Sequence, residues 1–174
     1  EHLLHLMEHC QADAYGVKEL PCSILDPSKP AQRLLVVVII CLISGMIIGA
    51  GFSQGSEVSE TYMEALAMAA MEKQEVYSYF GLKLNAIQYP SRGVPMKFQV
   101  DRGPGSSNVV HISLNGLVSG FVTTPSYTPQ SNSTVESSHP RKAKNQGAPE
   151  YILSDKNTIQ MVRSVLLDIV KHNT

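Results

Sequence analysis

Residues 34–52 read LLVVVIICLISGMIIGAGF, an apolar run with no charged residue and no proline. At the rise of an α-helix such a run spans roughly 28 Å, close to the hydrocarbon thickness of a bilayer. The sequence therefore predicts a single transmembrane helix over 34–52. It divides the chain into a segment 1–33, the span, and a domain 53–174. Within the span Cys41, Gly45 and Gly49 recur every fourth residue, so they share one helix face. This small-residue strip, of the GxxxG kind, is the expected helix-packing site. The plain alternative is that glycine is common in membrane helices.

Charge and cysteine content narrow the function classes. The net charge of the 174-residue chain is −1, which speaks against a nucleic-acid binder. The three cysteines are Cys10, Cys22 and Cys41, so the segment after the span has no internal disulfide. The chain starts at Glu1 with no cationic leader, and removal of a targeting peptide is the expectation. Lys18, Lys29 and Arg33 precede the run, whereas Glu57 and Glu60 follow it. The positive-inside bias then puts the N-terminus in the cytoplasm or mitochondrial matrix and the larger domain across the membrane.

The first seventeen residues suggest a short amphipathic helix, with Leu3, Leu4, Leu6 and Met7 apolar, before Pro21, Pro27 and Pro30 break the chain. His5, His9, Cys10 and Cys22 are conceivable zinc ligands, but their spacing fits no closed pattern, and no metal site is assigned. Beyond the span, residues 59–80 predict a helix with a break near Lys73, a capping box at Thr61 and Glu64, and a stop at Gly81. Four alternating segments follow, around Leu82–Ala86, Met96–Asp101, Val110–Leu114 and Leu117–Thr124, and Asn115-Gly116 suits a type I′ turn. These predict an antiparallel β-meander under the helix, hence an α+β domain. Residues 125–149, rich in Ser, Thr and Pro with Arg141, Lys142 and Lys144, form a long insert. Tyr151–Leu153 could add a strand. Ile159 to Val170 follow a helical period, with Asp155 or Asn157 as cap, although a strand over 165–170 is also compatible.

No catalytic constellation stands out. Gly103-Pro104-Gly105 lacks the Lys-Ser/Thr of a phosphate-binding loop, His111 falls on a polar strand face, and the segment after the span has no cysteine nucleophile. The expectation is a protein that is not an enzyme and carries no cofactor.

The helix EALAMAAMEKQEVYSYFG followed by KLNAIQYPSRGVPMKFQVDRGPGSSNVVHISLNGLVSGFV resembles the domain shared by cytochrome c oxidase assembly factors and the respiratory-chain-contacting subunit of the mitochondrial presequence translocase. The likeness lies in a helix ending near Gly81 and a strand hairpin turning at Asn115-Gly116; the insert 125–149 and the C-terminal helix depart from it. The resemblance implies a single-pass mitochondrial inner-membrane protein with its N-terminus in the matrix. The domain would project into the intermembrane space, as an accessory subunit or assembly factor of a respiratory complex. Its implied partners are the lipid bilayer, membrane subunits of that complex and intermembrane-space proteins. A translocase subunit and a secretory-pathway signal-anchor protein, with Asn132 as glycosylation acceptor, are the alternatives.

Overall fold

The computed structural model describes residues 7–85, 89, 91–100, 116, 118–123 and 151–174. Its centre is a five-stranded sheet. The strands are β1 (His9–Gly16), β3 (Leu34–Cys41), β4 (Ile47–Gln54), β5 (Lys97–Val100) and β6 (Gly120–Thr123), in spatial order β4-β3-β1-β5-β6. β1 runs antiparallel to β3 and β3 to β4, whereas β1, β5 and β6 are mutually parallel. A second, two-stranded parallel sheet joins β2 (Glu19–Cys22) to β7 (Ile152–Asn157). The helices among the described residues are α1 (Ser59–Ala70), α2 (Lys73–Tyr79) and α3 (Thr158–Asn173).

The run at 34–52 is thus a β-hairpin. Val36, Val37, Val38, Ile39 and Ile40 are stiff at χ1 and favour extended backbone. Ser44-Gly45 interrupts the run, and Gly45 takes φ +70° in the turn, with its N–H bonded to the Cys41 carbonyl at 2.8 Å. The uninterrupted hydrophobicity reflects burial within the protein. Helices cover the sheet on both faces, so successive residues of a central strand are all buried and no polar alternation is left to see. Val37, Ile39 and Cys41 enter one cluster with Tyr62, Ala65, Leu66 and Ala69 of α1. Val36, Val38 and Ile40 enter the other with Tyr77 of α2 and Met161, Val162, Leu166 and Ile169 of α3. Among the described residues no helix is long and apolar enough to cross a membrane.

The predicted small-residue strip falls apart on this backbone. Cys41 ends β3, Gly45 is in the turn and Gly49 is in β4. Gly49 and Gly51 let α1 rest on the sheet, since a Cβ at either would lie 2.1 Å from the Ala65 carbonyl oxygen or 2.0 Å from that of Thr61.

Other expectations shift with the sheet. The predicted N-terminal amphipathic helix gives way to β1, whose Cys10 and Ala12 alternate with Gln11 and Asp13 and pair on both sides. The meander is replaced by a mixed sheet, because β5 and β6 run parallel and so need a crossover rather than a hairpin. Leu82 and Leu84 pack against the second cluster without forming a strand. The predicted strand 110–114, Asn115 and the insert 125–149 lie outside the described residues; Gly116 has φ +96°.

The break between α1 and α2 is at Met71-Glu72, and Gly81 takes φ +71° beyond α2. Thr61 and Glu64 make no capping box. Val58 occupies the N-cap of α1 without a side-chain bond, and the Glu64 carboxylate accepts the Phe52 N–H of β4 at 3.0 Å. α3 carries the true box: Asn157 Oδ1 accepts the Gln160 N–H at 3.0 Å, and Gln160 Oε1 accepts the Asn157 N–H at 2.9 Å. At its other end Asn173 clamps the start of β4, accepting from Ile47 N–H and donating to Ile47 C=O, each at 2.9 Å.

Candidate active site at the parallel strand ends

β1 is the strand on which the sheet changes hand. From β1 the chain moves outward to β3 and β4 on one side, and from β5 it moves outward to β6 on the other. The parallel pair β1–β5 is therefore a topological switch point, the position at which open sheets of this kind bind ligands beyond the carboxyl ends of their strands. The residue that β1 brings to this position is Asp13. It lies opposite Val38 of β3 and is half-buried, and one carboxylate oxygen accepts the Ala14 N–H at 2.8 Å. On the β5 side the register places Ala12 beside Val100, the last residue of the strand, and the next residue in the chain is Asp101, outside the described residues.

Beneath Asp13 on the same face is Gln11, buried beside Gln99 of β5, and beyond it is Tyr15. Burial pushes the Tyr15 hydroxyl up to about 12, and the Asp168 carboxylate of α3 adds to the shift, so the phenol stays protonated near neutral pH. Past Tyr15 a cavity of about 400 Å³ opens between the β1–β2 turn and α3, lined by Lys18, Lys156, Ser164 and Asp168 among others. Lys156 Nζ donates to Ser164 Oγ at 3.2 Å. The cavity carries both charge signs within a largely apolar lining that includes Val17, Met161 and Val165. Arg33 packs against Gly16: its guanidinium lies where a Cβ on Gly16 would be, donates to the Tyr151 hydroxyl at 3.0 Å and stands 5.2 Å from that ring's centroid.

The conceivable zinc residues are not assembled. Cys10 points to the α1 face of β1, the adjacent His9 to the opposite one, and Cys22 is in the second sheet with its thiol donating to the Asp155 carbonyl at 3.5 Å. His5 is outside the described residues. Among the described residues no group of three or more His, Cys, Asp or Glu could hold a metal ion. Asp13 alone supplies one hard oxygen ligand, short of a complete set.

Sequence reasoning missed Asp13 and Asn173. The signal for Asp13 was the segment CQADAYG, a carboxylate amid small residues with strand alternation, which a helical reading of 1–17 hides.

The fold and this site define a mixed-sheet domain, covered by helices on both faces, with an acidic residue on its switch-point strand. The chain belongs to the TnsB C-terminal domain family, whose model matches residues 7–158. Among curated proteins nothing matches. Two solved structures show lower similarity. One is a chain of the simian T-cell lymphotropic virus intasome in complex with PP2A regulatory subunit B56 gamma, 17% identical with a TM-score of 0.49, aligned over 76% of this chain and 37% of the other. The second is the catalytic core domain of BIV integrase, 16% identical with a TM-score of 0.43, over 76% of this chain and 64% of the other. The chain thus spans well under half of the first and less than two thirds of the second, and the family assignment rests on the sequence match.

This membership overturns the resemblance to cytochrome c oxidase assembly factors and translocase subunits. With it go the respiratory accessory role, the mitochondrial inner-membrane location, and the membrane-subunit and intermembrane-space partners. The signal-anchor alternative fails with the span on which it depended. The exclusions of nucleic acid and of enzymatic activity fall as well. A net charge of −1 sums over the chain, whereas phosphate contact is made by local patches.

Proposed function

We propose that this chain is a transposase/integrase-type domain of a DNA-recombining protein, with Asp13 as an acidic residue of its active site. The observation that carries the reading is the position of Asp13 in β1, beside parallel β5, at the switch point of a sheet in a TnsB C-terminal domain family member. Phosphodiester chemistry on DNA needs carboxylates held on rigid elements, and β1 is paired along both edges. Asp101 follows the last residue of β5 and is the natural second carboxylate to test. In this reading Asp13 positions the reacting phosphate's surroundings, while the Lys18 and Lys156 cavity at the end of β1 receives the flanking backbone.

The test uses the full-length protein carrying Asp13→Asn or Asp101→Asn, under conditions in which the unaltered protein cuts or joins DNA. Each variant is expected to lose at least about a hundredfold in DNA cleavage, of the order seen when a group acting in the transition state is removed. Affinity for the same DNA and the melting temperature should be unchanged. Unimpaired cleavage by Asp13→Asn would remove this site.

A further inference from the structure

We propose that Cys10 and Cys41 form a reversible cross-strand disulfide, a redox-sensitive link between β1 and β3. The two residues are direct partners in the antiparallel register. The Leu42 N–H bonds to the His9 carbonyl at 3.0 Å, so the hydrogen-bonded pair is the neighbouring one, and Cys10 and Cys41 occupy a non-hydrogen-bonded pair. In that arrangement Cα atoms are about 4.5 Å apart and side chains stand on the same face. This lies at the short end of the Cα range for disulfides, about 4.4–6.8 Å, and closing the Cβ gap needs a shift of about an ångström or less. A bond formed at the edge of its preferred geometry is readily reduced, which suits a reversible link rather than a permanent one.

The two thiols are not equivalent. Burial pushes Cys10 up to about 12, and the neighbouring Cys41 sulfur reinforces this. Burial acts the same way on Cys41, but the Ser44 hydroxyl and N–H, together with the N–H groups of Met7 and Ile43, hold its thiol below the ordinary value. The Met7 N–H reaches Cys41 Sγ at 3.5 Å. Cys41 is therefore the attacking thiolate. Both side chains are buried, but Cys41 ends its strand against the exposed turn residues Ile43 and Ser44, so a small opening of that turn admits a peroxide.

The reaction balances with hydrogen peroxide as the two-electron oxidant. The Cys41 thiolate attacks one peroxide oxygen, breaking the O–O bond to give a sulfenic acid and hydroxide. The Cys10 sulfur then displaces the sulfenic oxygen, forming the S–S bond. In total two thiols are oxidised, and one peroxide becomes two waters. The inference stands on the strand register and does not depend on the proposed DNA chemistry.

The full chain is treated with hydrogen peroxide in the native state, then denatured, alkylated and mapped by mass spectrometry. The expected product has lost two hydrogens, retains one alkylatable thiol of three, links the Cys10 and Cys41 peptides, and reverts with dithiothreitol. Cys22→Ser should give the same link, and Cys41→Ser should leave Cys10 alkylatable. Cys10→Ser should leave Cys41 as a sulfenic acid that a dimedone-type probe captures. Full alkylation of both residues after peroxide treatment, or a bond that involves Cys22 or a second copy of the chain, would overturn the proposal. The wild-type result decides the question even if a variant fails to fold.

Discussion

Single residues set how closely the layers approach. Gly49 was legible as a small residue, but its purpose was not, because a glycine serves a membrane helix pair and a helix lying on a strand alike. In this sheet the obstacle to a side chain is backbone, the carbonyl oxygens of Ala65 and Thr61, which cannot rotate away. Alanine at Gly49 or Gly51 is therefore expected to lower stability by about 2 kcal/mol or more, measured by urea denaturation, whereas alanine at Gly120, with 3.4 Å to a flexible Lys97 side chain, should cost less.

Lys73 is a second case. It is 2% exposed, and its ammonium donates to the carbonyls of Ala69, Met71 and Ser91 at 3.0, 3.1 and 2.9 Å, closing the last turn of α1 and tying down residue 91. Burial lowers its pKa from 10.5 to about 8; Glu72 opposes the shift and Arg92 reinforces it. The unfolded chain therefore binds a proton that the folded one has released between pH 8 and 10.5, so this residue's contribution to stability rises with pH across that window and is smallest below it. Denaturation of wild type and Lys73→Met at pH 8 and pH 10 should show the difference moving in favour of wild type at the higher pH. A constant difference would mean that Lys73 keeps its ordinary pKa in the fold. The sequence gave no sign of a buried lysine at the start of α2, where Lys73 marked only the helix break.

Elements were legible in proportion to how local their causes are. α3 was partly readable from its period: the sequence left the cap open between Asp155 and Asn157 and a strand over 165–170 compatible, and the structure settles on a helix capped by Asn157, whose box with Gln160 acts within one turn. Asn157→Ala should cost about 1 kcal/mol, and Gln160→Ala less, since the Asn157 bond to the N3 amide is the stronger part of the box. The hairpin at 34–54 was illegible for the opposite reason. Its hydrophobicity reports burial on two faces by helices α1 and α3, which lie far apart in the chain, and composition alone does not separate lipid from protein as the covering medium. The β-branched run and Ser44-Gly45 were the usable local signals. β5 and β6 were seen as strands, but their parallel orientation was not, because direction depends on the crossover between them and not on residues within either.

At the scale of the whole molecule, the candidate site exists only through long-range pairing. Tyr15 and Asp168 are brought together by a strand and a helix distant in sequence, so no local pattern shows their proximity. Because Asp13 is half-buried and β1 is held along both edges, the loss of cleavage predicted for Asp13→Asn should leave the unfolding midpoint within about a degree or two, as expected for a partly exposed substitution of equal size.

The second sheet face has a further consequence. Leu34, Val36, Val38 and Ile40 are covered mainly by α2 and α3, and α3 begins only at Thr158. On the ribosome the hairpin can close as soon as β4 emerges, and α1 can shield one side of it within a few seconds of synthesis. The other side is partly covered by α2, but its cover by α3 waits until residues 158–173 are made, at about 5–20 residues per second. During that interval a strip of valine and isoleucine faces solvent, which makes the nascent chain a natural client for a chaperone that holds apolar strands until their last partner arrives.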